Sequence, residues 1–186
     1  KVGDTLVPRS YGSMTWALLK CYILCDVERS NPRMQDAWKW IQENYTLEEN
    51  PGFSPELKKK NAHYQGLFYY YLTMARTLSL MGIDRISAVV RETPAEREAR
   101  RRRNEKIEAD PEDDREPVQA VRRRKKADGT VETWVYRPRH WRRELLARLK
   151  ELQRPDGSWV NDKASRWMEG NPDLATAYAL LAAAHA

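Results

Sequence analysis

Three stretches of the chain, residues 13–19, 66–72 and 173–179, are apolar around nearly their whole circumference at helical spacing. Each follows a small or polar lead-in and runs on as an apolar helix. A helix without a polar face is expected to be enclosed on most sides. The first two stretches begin 53 residues apart and the last two 107 apart. A module of about 50 residues, interrupted once by an insertion of similar size, accounts for both intervals, and such periods point to stacked helical hairpins.

Amphipathic helices lie between these. Met34, Ala37, Trp38, Ile41 and Tyr45 keep helical spacing, with Asn31 placed to cap the helix and Pro32 in its first turn. A second amphipathic helix is expected from Pro138 to Gln153, with Trp141, Leu145, Leu146, Leu149 and Leu152 on one side. Arg154-Pro155-Asp156-Gly157 ends it with turn chemistry, as Asn50-Pro51-Gly52-Phe53 ends the earlier one.

Charge separates the remaining segment. The chain has 186 residues and a net charge of +6. Between Arg85 and Lys126 stand 14 Lys or Arg and 10 Asp or Glu, a surplus of four. Few residues there could anchor a core, and Pro94, Pro111 and Pro117 interrupt helices. The segment reads as a solvated insertion, helical around Ala95 to Ile107. A small hairpin, with Ala127-Asp128-Gly129-Thr130 as its turn and Val131 to Tyr136 as a strand, closes it. An electrostatic arm for nucleic acid or an anionic membrane is the weaker reading. The charges alternate in sign, and no aromatic residue stands among them to stack on bases.

No run of about 18 apolar residues is present, so no transmembrane helix is expected. The start at Lys1-Val2-Gly3-Asp4, without Met or an apolar targeting core, suggests an excerpt of a longer chain and no signal peptide. Cys21 and Cys25 sit four apart on one helix face, a poor geometry for a disulfide. They are expected as small buried hydrophobes of a cytoplasmic protein.

Leu149, Gln153, Gly157 and Trp159 match the repeat signature of squalene and hopene cyclases: an aliphatic residue, then Gln, Gly and Trp at fixed intervals. A degenerate copy runs from Ile41 to Phe53. With the helical repeat, the chain resembles the terpene cyclase and protein prenyltransferase superfamily over about residues 11–82 and 134–185. The resemblance implies an all-α fold, an incomplete α/α-toroid of helical hairpins around an apolar cavity. The division is then 1–84 for the first repeats, 85–133 for the insertion and 134–186 for the last repeat, together one domain.

The family's chemistry is not carried over with the fold. Cyclases of this class use an acidic Asp in an Asp-x-Asp-Asp motif, and none occurs here; Asp110-Pro111-Glu112-Asp113-Asp114 has another spacing. Prenyltransferases bind zinc through Asp, Cys and a distant His. Cys25, Asp26 and His63 offer these elements, but the adjacent Cys and Asp depart from the family spacing, so neither metal nor cofactor is expected. The catalytic residues stay unassigned, and whether the chain is an enzyme stays open.

What the resemblance leaves is a cavity lining at the helix starts: Tyr11, Thr15, Trp16, His63, Tyr64, Gln65, Tyr69, Tyr70 and Asp173. Glu169, in the loop Trp167-Met168-Glu169-Gly170-Asn171, is placed at the cavity mouth. The expected function is binding of an apolar, isoprenoid-like molecule, or of a protein completing the toroid, without acid catalysis. The alternatives are a fragment of an active isoprenoid cyclase whose acid lies elsewhere, and a helical scaffold with a basic arm. Nucleic acid is the disfavoured partner, while peripheral membrane contact stays open.

Overall fold

The computed structural model describes residues 10–110, 112 and 117–186. The N-terminal Lys1-Val2-Gly3-Asp4, and Pro111, Asp113 and Asp114 of the acidic run, lie outside the described residues. Among these, seven α-helices and three β-strands follow one another: α1 (Gly12–Leu24), α2 (Pro32–Asn44), α3 (Pro55–Lys58), α4 (Leu67–Leu80), β1 (Ile86–Arg91), α5 (Pro94–Ala109), β2 (Arg122–Lys125), β3 (Val131–Arg139), α6 (Trp141–Leu152) and α7 (Pro172–Ala184). The chain divides into two compact units. One is built from the residues up to Ile86 and from Arg139 onward, the other from Ser87–Pro138.

In the first unit α4 packs against both α1 and α7, α2 lies against α1, and α6 against α7. The centre belongs to α4, whose Phe68, Tyr70, Tyr71, Met74, Ala75 and Leu78 are all buried. Tyr70 and Tyr71 remain in this core because each hydroxyl donates to a backbone carbonyl, of Thr46 at 2.8 Å and of Leu47 at 2.5 Å. Burial pushes both phenols well above their ordinary pKa. The cap read from Asn31 is present: its side chain accepts from the Arg33 N–H at 3.0 Å.

The second unit holds a sheet in the order β1-β3-β2, with β2 antiparallel to β3. Thr133 and Val135 point to one face of β3 and are buried, as are Ala88 and Ile107. Helix α5 starts with a reciprocal capping box between Thr93 and Glu96. The Thr93 donors and the Arg137 guanidinium hold the Glu96 carboxyl down at about 2. Glu92, buried between strand and helix, accepts from Arg100 at 2.8 and 3.1 Å and from the Thr133 hydroxyl at 2.8 Å. Burial acts to raise its pKa, but the bonds from Arg100 and Thr133 outweigh it and hold the carboxyl below the usual range.

The expectation of an all-α, α/α-toroid is therefore overturned. Among the described residues the fold is mixed α/β, with a three-stranded sheet as well as seven helices, and the helices of the first unit make a row around α4 rather than two concentric rings. The physical reason lies in two segments. Ile86-Ser87-Ala88-Val89-Val90-Arg91 alternates buried and open positions and is rich in β-branched residues, so it pairs as a strand. The helix expected from Pro138 begins only at Trp141, because β3 continues to Arg139. The enclosure expected for the three apolar helices holds only for α4. On α1, Met14, Leu18 and Leu24 are 50, 46 and 62% exposed, and on α7, Leu180 and Leu181 are 56 and 51% exposed. Cys21 and Cys25 are free thiols and exposed, not buried.

The Leu149–Trp159 signature acts within its own hairpin. The Gln153 side-chain amide donates to the Gly157 carbonyl at 3.0 Å, and Gly157 takes a left-handed φ of 86°. The Trp159 indole N–H donates to the Leu149 carbonyl at 2.8 Å, satisfying an orphan acceptor at the end of α6. The Trp159 backbone N–H donates to the Thr176 hydroxyl at 3.0 Å, tying the turn to α7.

Candidate functional site

The helix row presents a cleft of about 410 Å³ where α1, α4 and α7 begin. Its walls are Tyr11, Ser13 and Met14 from α1 and its cap, Gln65, Gly66 and Tyr69 from α4 and its lead-in, and Tyr178 from α7. Trp167, Met168 and Glu169 close one side. The rings of Tyr69 and Tyr178 meet at 5.8 Å, and Tyr11 lies 5.3 Å from Phe53. A second groove of about 360 Å³ shares Tyr11, Gln65 and Trp167, so the Trp167 ring stands between the two spaces.

A buried polar frame positions these walls. Asn50 is fully buried. Its carbonyl oxygen accepts from the Ser13 N–H at 3.0 Å, and its amide donates to the Ser13 hydroxyl at 3.2 Å and to the Gln65 carbonyl at 3.0 Å. The start of α1 is thereby fixed to the lead-in of α4. Gly12 is required there, since a Cβ would fall 2.6 Å from Pro51 and 2.7 Å from the Tyr70 ring.

Glu169 caps the start of α4 from inside the protein. One carboxylate oxygen accepts from the Tyr69 N–H at 2.8 Å, the other from the Asn161 amide at 2.7 Å. The Leu67 and Phe68 N–H groups of the same helix start also favour the charged carboxylate. Burial raises the carboxyl above its ordinary range, and the N–H donors from Asn161 and the helix start oppose that rise. Its partners already occupy both oxygens, so Glu169 is a positioning group.

Trp167 and Met168 carry the most unusual backbone of the site. Both have left-handed φ angles, 63° and 62°, and both side chains stand in solvent at 60 and 70% exposure. Non-glycine residues in this region cost about 1–3 kcal/mol each and persist where the surroundings enforce them. The bonds from Asn171 N–H to the Met168 carbonyl and from Asn161 N–H to the Glu169 carbonyl, each 2.9 Å, enforce this turn.

Of the residues singled out from sequence, Tyr11, Gln65, Tyr69 and Glu169 come together at the cleft. Thr15 donates its hydroxyl to the Tyr11 carbonyl at 3.2 Å and is buried, Trp16 lies in the core against Trp38, and Tyr70 lies in the core. His63 packs on Tyr64 at 4.0 Å, Tyr64 carries Lys163 at 4.2 Å over its ring, and Asp173 is exposed in the first turn of α7. None of these six lines the cleft. Met14 and Tyr178 line the cleft as well, from positions the sequence marks only as part of apolar helices, and Trp167 and Met168 belong to the loop before α7. An aromatic-Met pair just before a Glu-Gly turn is the signal that was present. Among the described residues, no three His, Cys, Asp or Glu side chains gather as a metal-binding set, and no helix is long and apolar enough to cross a membrane.

A third cleft, of about 400 Å³, is lined by Tyr45, Arg139, Glu144, Arg148, Glu48 and Glu151 among others. Its charges satisfy one another: Arg139 with Glu144 at 2.7 Å, Arg148 with Glu48 at 2.9 Å and with Glu151 at 3.0 Å. Tyr45 donates to Glu144 at 3.2 Å, and burial raises its phenol pKa. A closed polar network of this kind holds structure together and leaves few groups for a ligand.

Comparison with protein-family models, with curated proteins and with solved structures returned no match.

Proposed function

We propose that the helical unit binds an elongated apolar molecule of isoprenoid type in the cleft at the starts of α1, α4 and α7, and that it does no acid chemistry there. The observation carrying this reading is the Trp167–Met168 pair, held in a strained backbone with both side chains in solvent beside an aromatic wall. Exposed large apolar groups beside a concave surface mark interaction sites, and strained backbone concentrates at such sites. Apolar clefts with a few fixed polar groups are the ordinary form of small-molecule sites. Gln65 and Ser13 supply the polar groups here. The Glu169 carboxyl is engaged by N–H donors and has no free oxygen to deliver a proton.

Farnesol serves as a probe, with tryptophan fluorescence as readout. Saturable binding is expected for the intact chain. Trp167→Gly should weaken it at least about tenfold while leaving stability unchanged or higher by up to about 1 kcal/mol, because glycine relieves the left-handed strain. Binding that survives this substitution undiminished contradicts the reading.

A further inference from the structure

The sheet of the second unit has one covered face and one open face. Thr133 and Val135 of β3 are buried, and Thr133 and Arg137 bond to Glu92 and to Glu96 at the start of α5. Alternation along a strand then turns Glu132, Trp134 and Tyr136 to the opposite side. The register places Arg122 of β2 across from Trp134 and Arg124 across from Glu132, and directly opposed residues share a face. Contacts bear this out: the Arg122 guanidinium lies 4.8 Å over the Trp134 ring. On the same face Glu132 is paired with Arg91 of β1 at 2.5 Å and with Lys126 at 3.2 Å. Tyr136 is 41% exposed, and Arg91, Arg122, Arg124 and Lys126 are all exposed.

We propose that this open face binds single-stranded nucleic acid. Four cations against one carboxylate leave a positive surface for phosphates. Tyr136 and the Arg122–Trp134 stack stand two residues apart on one strand, roughly 7 Å, and offer successive flat platforms to bases. A base stacks on the Tyr136 ring and the next on the guanidinium plane over Trp134. Duplexes keep their base faces hidden and gain only the electrostatic part. The face is polar apart from its rings, Val89 and Pro138, and so presents little to insert among lipid chains.

The two arguments that disfavour nucleic acid from sequence alone meet a structural answer. Four of the ten acids of the segment, Glu96, Glu98, Glu105 and Glu108, belong to α5, where Glu98 pairs with Arg101 and Arg102, and Glu105 with Arg101, along the helix itself; Glu92 is bonded to Arg100 and Thr133 on the covered side of the sheet. The missing aromatics are supplied by β3, which follows the basic run in sequence and pairs with it in space.

The test is fluorescence anisotropy of labelled 12-nucleotide dT and U oligomers titrated with the full chain at 50 mM salt. Saturable binding is expected, weaker for a duplex of the same length. Tyr136→Ala should weaken it roughly tenfold. The double change Arg122→Ala and Arg124→Ala should lower the slope of log affinity against log salt by about 1.4. Arg102→Ala, on exposed α5, should change affinity less than about twofold, and circular dichroism checks that each variant is folded. Absence of saturable binding overturns the proposal, as does binding indifferent to Tyr136→Ala or equally strong to the duplex.

Discussion

Trp141→Ala is expected to lower stability by about 4 kcal/mol, the range for a large aromatic removed from a well-packed core. Trp141 is fully buried, and its indole N–H donates to the Ile83 carbonyl. Ile83 and Trp141 stand just inside the two points where the helical unit is interrupted in sequence, at Ile86 and Arg139. One side chain therefore fills the core and joins the two segments of that unit. Its loss leaves a cavity and an unsatisfied carbonyl together. A fall of roughly 8–16 °C in melting temperature should accompany it in a chain of this size. Trp141→Phe keeps most of the volume and loses the hydrogen bond, so about 1 kcal/mol is expected. Urea denaturation followed by circular dichroism measures both; equal effects of Ala and Phe would contradict the cavity argument.

Glu169→Ala is expected to cost about 3 kcal/mol. It removes an acceptor from the Asn161 amide, whose bond to the Tyr64 carbonyl remains, and from the Tyr69 N–H at the start of α4, and it empties a fully buried side-chain position. Farnesol binding should fall as well, since the same carboxylate sets the turn that carries Trp167 and Met168. Glu169→Gln keeps one acceptor but turns an amide toward Asn161, and should cost less. The pH dependence follows from burial, which raises the folded-state pKa above the unfolded value of about 4.3. The associated stability is complete below that value, where both states are protonated. It is lost as pH rises through the raised folded pKa, because the unfolded chain gives up its proton first. Glu169→Gln should remove this slope from a series of denaturation curves across that window. A slope that persists in the variant would assign the effect to another group.

The helices were legible because their periodicity is local. Asn31 and Pro32 open α2, and the apolar runs mark α1, α4 and α7. The sheet was legible only at its hairpin. The six residues of β1 are embedded in a charged segment, and a short run of that length does not reveal its partner. That hidden pairing overturned the all-α expectation. The repeat signature was visible as letters, but its bonds close one hairpin, as Gln153 on Gly157 and Trp159 on Leu149 show.

The cleft divided along a similar line. Tyr11, Gln65 and Tyr69 were visible as helix starts, while Trp16, two positions from Met14, and Tyr70, one from Tyr69, turn into the core because neighbouring helical positions point in different directions. The left-handed backbone of Trp167 and Met168 depends on Asn161 and Asn171 closing the turn from either side, which no local pattern records.

The five methionines provide the most direct measurement of the cleft. Met14 and Met168 line it, whereas Met34, Met74 and Met81 lie elsewhere in the helical unit. With methyl-labelled methionine and farnesol added stepwise, the Met14 and Met168 NMR signals should move together and saturate while the other three stay in place. Signals that do not move up to the solubility limit, or that move only at Met34, Met74 or Met81, would contradict an apolar ligand site at the starts of α1, α4 and α7.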